Sequence, residues 1–339
     1  MIQRYGCYLM KGFQFWRETL SQTITVVVPL ILVTSAAWSS SLPRVGDGHP
    51  DLGGVWYYGS ATPLERPVEL GTRQNYSNVE AQSIIAKLKN DDAKRFAPSD
   101  PDRAPPEKVS EVGQEADDNF VITRTNLTQI AGRYRTSLII DPSNGRLPFR
   151  KNAQDIFDRW SAQGMNLFDG PELRPASERC LSVVGPIAPV VGWYYNANMR
   201  IVQTMDHIMI KGEMLKPRII ALNNGMPTQG FNLWMGESTA HWKQDILVIK
   251  TVNFRPENSW FRFKSSDKLQ IGEYFKLIAR DEILYRYTVS DSKIYSEPFT
   301  VEMNIKRRPP GEHLYEFACH EANYSLPHIL RGARLGELE

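Results

Sequence analysis

Six consecutive residues near the C-terminus, Cys319-His320-Glu321-Ala322-Asn323-Tyr324, carry a thiol, an imidazole, a carboxylate, an amide and a phenol. An imidazole titrates near neutrality, and a carboxylate beside it can orient it or tune its basicity. His320 therefore reads as a general base or acid, Glu321 as its orienter and Tyr324 as a proton donor. Asp206-His207 is a second acid–base pair, with Asp206 an alternative orienter, although an Asx turn accounts for Asp206 without any chemistry. Arg218 and Arg331 are candidate anion clamps. Trp56, Trp193, Tyr194, Tyr195 and Trp234 gather in or beside loops, where a pocket for a ring-bearing or sugar ligand needs apolar faces. The same rings can equally plug a core. The bland reading of the C-terminal motif is a hydrogen-bonded arm laid onto the body of the protein.

Other chemistries lack their residues. The six histidines show no His-x-His, no His-Glu-x-x-His and no Cys-x-x-Cys, so no metal site and no cofactor is expected. Gly236-Glu-Ser-Thr-Ala240 lacks the second glycine of a nucleophile elbow. Neither a phosphate loop nor a dinucleotide fingerprint occurs.

The cysteines are tied to compartment. Arg4, Lys11 and Arg17 precede an apolar run over 23–37, followed by Trp38-Ser39-Ser40, which is the anatomy of a secretory signal. Residues 1–39 are read as that signal, and 40–339 as a single β-rich domain that is periplasmic or secreted. An uncleaved anchor is the alternative, but the run, about 15 residues long and interrupted by Pro29, is shorter than the roughly 20 that span a bilayer. Cleavage removes Cys7 and leaves Cys180 and Cys319, 139 residues apart. In an oxidising compartment two cysteines most often make one disulfide, worth about 4–5 kcal/mol for a loop of this length. A Cys319–His320 nucleophile pair is the rival reading, but neighbours on a strand face opposite sides.

The signal takes with it three of the 40 basic residues and one of the 38 acidic ones, leaving 37 of each. A neutral surface argues against nucleic acid or an anionic membrane as partner. A small molecule is the expected partner, with no membrane contact beyond the signal and no reading of oligomeric state.

These groups are positioned by strands. Asp51-Leu-Gly-Gly-Val-Trp56 leads into an aromatic strand. The spacing of Ile84, Ile85 and Leu88 predicts a helix over 79–96, and Ile156, Phe157 and Trp160 a second over 153–163. Residues 97–118 are acidic, proline-rich and aperiodic, an exposed or disordered insert. From residue 200 strands recur at 200–204, 207–211, 218–222, 239–243, 246–254, 269–279, 283–289 and 298–306, with turns between them. Apolar and polar residues alternate in Tyr285–Val289 and Phe299–Lys306, giving one core face and one wet face. The fold expected is mainly β, an up-and-down antiparallel, lipocalin-like barrel with one or two short helices in the N-terminal half. A two-sheet sandwich is the alternative.

Several segments together resemble a family of exported proteins of unknown function from Gram-negative environmental bacteria. They are Asp51-Leu-Gly-Gly-Val-Trp56, Gly59–Pro67, Glu178-Arg-Cys-Leu181, Gln203–His207, Trp234–Ser238, Thr251–Phe254, Ala318–Tyr324 and Arg331–Arg334. The chain departs from the pattern at Gly53, where the family has serine, and at Ala322, where it has glycine. The resemblance implies export and a single domain, and no activity. Three functions follow from the residues. The first is a barrel binding a cyclic or aromatic small molecule. The second is an acid–base hydrolase, lyase or isomerase using His320, and the third a structural protein with a filled barrel.

Overall fold

The computed structural model describes residues 42–95, 97–98, 102, 126–181, 197–213, 216–222, 230–259 and 264–336, within the compact unit that begins at Leu42. The expected insert lies outside the described residues apart from 97, 98 and 102.

Strand β1 (Gly54–Tyr57) is followed by helix α1 (Asn78–Arg95), a short hairpin of β2 (Gln129–Ile130) and β3 (Arg133–Tyr134), and β4 (Ile139–Asp141). Helix α2 (Ile156–Ala162) comes next. Then follow β5 (Asn198–Gln203), β6 (His207–Gly212), β7 (Arg218–Leu222), β8 (Glu237–Lys243), β9 (Ile246–Val252), β10 (Gln270–Ala279), β11 (Glu282–Ser290) and β12 (Phe299–Arg307). A helix that sequence periodicity did not predict, α3 (Ser325–Gly336), ends the described chain.

Nine of these strands close a barrel in the order β1, β5, β6, β7, β8, β9, β10, β11, β12, and β12 returns to β1 through Trp56 opposite Arg307. All eight strands expected beyond residue 200 are present. Their order is up-and-down with one exception: β7 and β8 run parallel, Ala221 opposite Thr239. The exception is required by parity, because strands that alternate in direction can close a ring only when their number is even. Strand β1 makes the number odd, so one neighbouring pair must run parallel, and that pair is β7 with β8. Entry into β8 passes Gly236 at φ +65°, where a Cβ would stand 2.7 Å from the Val252 carbonyl oxygen. Strand β4 takes the part of the β12 edge that short β1 does not reach, with Ile139 opposite Val301.

Period-two burial decides what fills the barrel. In β10, Ile271, Glu273, Phe275 and Leu277 are buried while Gln270, Tyr274, Lys276 and Ile278 are exposed. The same alternation turns Ile283, Tyr285, Tyr287 and Val289 of β11 inward, and Leu247, Ile249 and Thr251 of β9. Phe275 packs on Tyr285 at 4.5 Å between ring centres, and Tyr285 on Tyr287 at 5.6 Å. Rings and branched aliphatics thus occupy the lumen. The N-terminal segment lies over the β8–β9 turn, where Arg44 forms a two-pronged ion pair with Asp245 (2.8 and 2.9 Å) and His49 stacks on Trp242 at 4.5 Å.

Both helices of the N-terminal half start with a side chain that caps backbone N–H groups. At α1, the Ser77 hydroxyl accepts from Glu80 N (3.2 Å) and the Glu80 carboxylate accepts from Ser77 N (2.8 Å). At α2, Asp155 and Asp158 make the same exchange.

Candidate functional site

The C-terminal motif is a pin. Cys180 and Cys319 form a disulfide with Cα atoms 5.7 Å apart, which removes Cys319 as a free nucleophile. The Asn323 amide donates to the Glu178 carbonyl (3.0 Å) and approaches Cys180 Sγ (3.4 Å). His320, Glu321 and Tyr324 sit in the turn between the disulfide and α3 and are exposed. Beyond them α3 turns Leu326, Ile329, Leu330 and Ala333 toward the body at helical spacing and leaves Arg331 in solvent. Arg334 donates to the carbonyls of Phe168 (2.8 Å) and Asp169 (3.4 Å).

The second expected acid–base pair lies elsewhere. Asp206 and His207 occupy the β5–β6 turn, with His207 Nδ1 3.2 Å from Asp206 Oδ1. The Thr204 hydroxyl first, then His207, lowers the Asp206 pKa. That turn is at the same barrel end as the β8–β9 and β10–β11 turns. The disulfide is at the other end: Arg179 lies 5.6 Å from the Trp234 ring, and Asn258, in the β9–β10 connection, donates to the Trp234 carbonyl. Asp206 therefore does not orient His320, and no acid–base site is assembled from the two pairs.

The expected ligand-binding residues also separate. Trp56 is fully buried, its indole N–H donating to the Leu52 carbonyl (2.8 Å) and its ring covered by Arg307 at 4.1 Å. It is a core residue. Trp234 is held by Arg255 at 4.6 Å as well as by Arg179. Trp193, Tyr194 and Tyr195 lie outside the described residues. Arg218, expected to clamp an anion, is inside the lumen and already has a protein anion. Its guanidinium grips Glu273 at 2.6 and 3.2 Å, and Tyr285 donates to the same carboxylate at 2.8 Å. Ser238 and Thr251 lie 3.3 and 3.4 Å from the guanidinium. Burial opposes the Arg218 charge, but Glu273 outweighs it and raises the pKa; burial, then Glu273, pushes the Tyr285 phenol well up. The signal for Glu273 was in the sequence: an acid at an inward position of an alternating strand demands a buried cation.

A site that sequence reasoning passed over stands beside α2. Here a cleft of about 790 Å³ is walled by Phe157, Trp160, Met165, Leu167 and Leu173. Phe157 meets Trp160 edge-to-face at 5.4 Å, which fixes the indole plane, and both rings are half-buried. Polar groups line the same cleft. Asp155, 5 % exposed, accepts from Asp158 N (2.9 Å) and from the Ser259 hydroxyl (2.8 Å). Asp158 Oδ2 accepts from Asp155 N (2.9 Å) and from the Lys264 ammonium (2.6 Å). Burial works against the Asp158 charge, but Lys264 and Asp155 N outweigh it and lower its pKa. The rim of the cleft is fastened by Arg174, which donates to the Leu167 carbonyl, pairs with Glu178 at 2.7 Å and covers the Phe168 ring at 5.0 Å. Since Glu178 precedes Cys180 and Arg334 of α3 holds Phe168, the disulfide arm braces this rim. The sequence signal was the Asp155-x-x-Asp158 cap with aromatics at 157 and 160.

Among the described residues, no group of three or more histidine, cysteine, aspartate or glutamate side chains is placed to hold a metal ion, and no helix is long and apolar enough to cross a membrane. The fold and the cleft define a closed, filled, nine-stranded barrel with a braced side cleft. Comparison with protein-family models, curated proteins and solved structures finds no match.

Proposed function

We propose that this is an exported barrel protein that binds a small ring-bearing molecule in the cleft beside α2. The observation that carries the reading is the cleft itself: an oriented aromatic wall facing a few convergent polar groups, in the size range of small-molecule sites. The lumen offers less, because its buried cation, Arg218, is already gripped by the Glu273 carboxylate. Export is supported by the N-terminal signal pattern and by the disulfide, which persists in oxidising compartments. The resemblance to exported Gram-negative proteins points the same way.

Binding is tested by calorimetric titration of cyclic and aromatic compounds against the wild-type protein and Trp160→Ala. Loss of a binder in the variant, with near-ultraviolet dichroism unchanged, supports the cleft. A binder indifferent to Trp160 refutes it. Export is tested by the intact mass of the chain recovered from a bacterial periplasm, where a chain retaining residues 1–39 contradicts a cleaved signal.

A further inference from the structure

The polar groups of the cleft go further than a ring in general, and they name a ligand class. We infer, building on the binding site proposed above, that the cleft holds a neutral sugar ring stacked on Trp160. A pyranose presents an apolar face of axial C–H groups and an edge of hydroxyls, each of which both donates and accepts. Trp160, half-buried and fixed edge-to-face by Phe157, supplies a rigid platform for the first.

The edge of the cleft supplies the second. Asp158 uses Oδ2 for Asp155 N and Lys264, and among the described residues no donor reaches its Oδ1. Lys264 commits one of its three ammonium hydrogens to that bond. An acceptor and a donor therefore stand side by side, which matches a pair of neighbouring hydroxyls: one donates to Asp158 while the next accepts from Lys264. A planar aromatic ligand without adjacent hydroxyls would cover the same two charges and answer at most one of them, leaving the other desolvated.

Charge narrows the choice again. Among the described residues that line the cleft, Asp155 and Asp158 face one cation, Lys264, so a phosphate or carboxylate ligand meets an acidic excess. A cationic ligand could donate to Asp158 Oδ1, but it would stand beside the Lys264 ammonium and return no acceptor to it. A neutral polyhydroxylated ring is the class left that answers both the platform and the edge.

The test titrates the full chain with three neutral disaccharides (maltose, cellobiose and the N-acetylglucosamine dimer) and with indole and benzoate as aromatic probes. Wild type is compared with Trp160→Ala and Lys264→Met, and near-ultraviolet dichroism reports their folding. The expected result is saturable binding of a disaccharide, weakened about tenfold by Lys264→Met, the loss that follows removal of one charge-assisted hydrogen bond. Trp160→Ala should weaken it at least as much; where that variant misfolds, Lys264→Met decides alone. Aromatic probes that bind through Trp160 while no disaccharide binds overturn the sugar assignment and leave the cleft reading standing. Disaccharide binding indifferent to Lys264 and Trp160 overturns both, as does the absence of any binding.

Discussion

Glu273→Gln tests the lumen. The substitution keeps the shape of the side chain and leaves the Arg218 guanidinium inside the barrel without its anion, since Ser238 and Thr251 supply only neutral oxygens at 3.3 and 3.4 Å. The side chains of the pair are 4 % and 0 % exposed, so solvent cannot screen the stranded charge. Removing one partner of such a buried pair costs about 3–5 kcal/mol, a large share of the roughly 5–15 kcal/mol that holds a domain together. Arg218→Met strands the carboxylate instead, and its deficit should shrink as pH is lowered. An isolated carboxylate can take up a proton, whereas a guanidinium cannot shed one. Combining Glu273→Gln with Arg218→Met removes both charges, and the double variant should recover most of the loss. The assay is urea unfolding of all four proteins under non-reducing conditions, read as a double-mutant cycle. A Glu273→Gln protein within 1 kcal/mol of wild type, or a double variant as unstable as the sum of the singles, would refute a desolvated and mutually dependent pair.

Three further outcomes are expected. Cys319→Ser opens a 139-residue loop and should lower stability by about 2–5 kcal/mol. It should also weaken ligand binding, because α3 and Arg334 then hold the Phe168 rim less firmly; unchanged affinity would refute the bracing role. Ala322 has φ +54°, a region costly to any residue with a Cβ, so Ala322→Gly should stabilise the protein by about 0.5–1 kcal/mol in thermal unfolding. Destabilisation would contradict that backbone assignment. Glu80 has its pKa lowered to about 2, first by the Ser77 backbone N–H and then by Arg73. Its contribution is full above the unfolded carboxylate value near 4.3 and is lost as pH falls toward 2. Helix α1 should therefore fray at its start across that window in amide exchange, and Glu80→Gln should remove the pH dependence.

The strands were legible because each carries its own pattern. From β5 to β12 the expected and observed segments agree to within about two residues, and helices α1 and α2 follow from the spacing of Ile84, Ile85 and Leu88 and of Ile156, Phe157 and Trp160. The disulfide was legible for a different reason: with residues 1–39 read as a signal, the sequence offers Cys180 only Cys319 as an intrachain partner. Helix α3 was not legible, since Pro327, Gly332 and Gly336 lower its intrinsic propensity and its apolar stripe is stabilised by packing and by the tether at Cys319.

Functional residues divide in the same way. Residue types and local spacing were enough to mark Arg218 as notable, to make the His320 motif a site of interest and to suggest a barrel. They were not enough to say that Arg218 faces inward onto Glu273, 55 positions away, or that Asp206 and His320 sit at opposite barrel ends. Nor did they show that Lys264 reaches Asp158, 106 positions away, across a cleft walled by Trp160. Alternation and capping are short-range properties written in a few consecutive residues. The pairing of a buried acid with its cation, the parallel seam between β7 and β8 and the enclosure of a cleft depend on how the closing barrel brings distant segments together, and only the tertiary structure decides them.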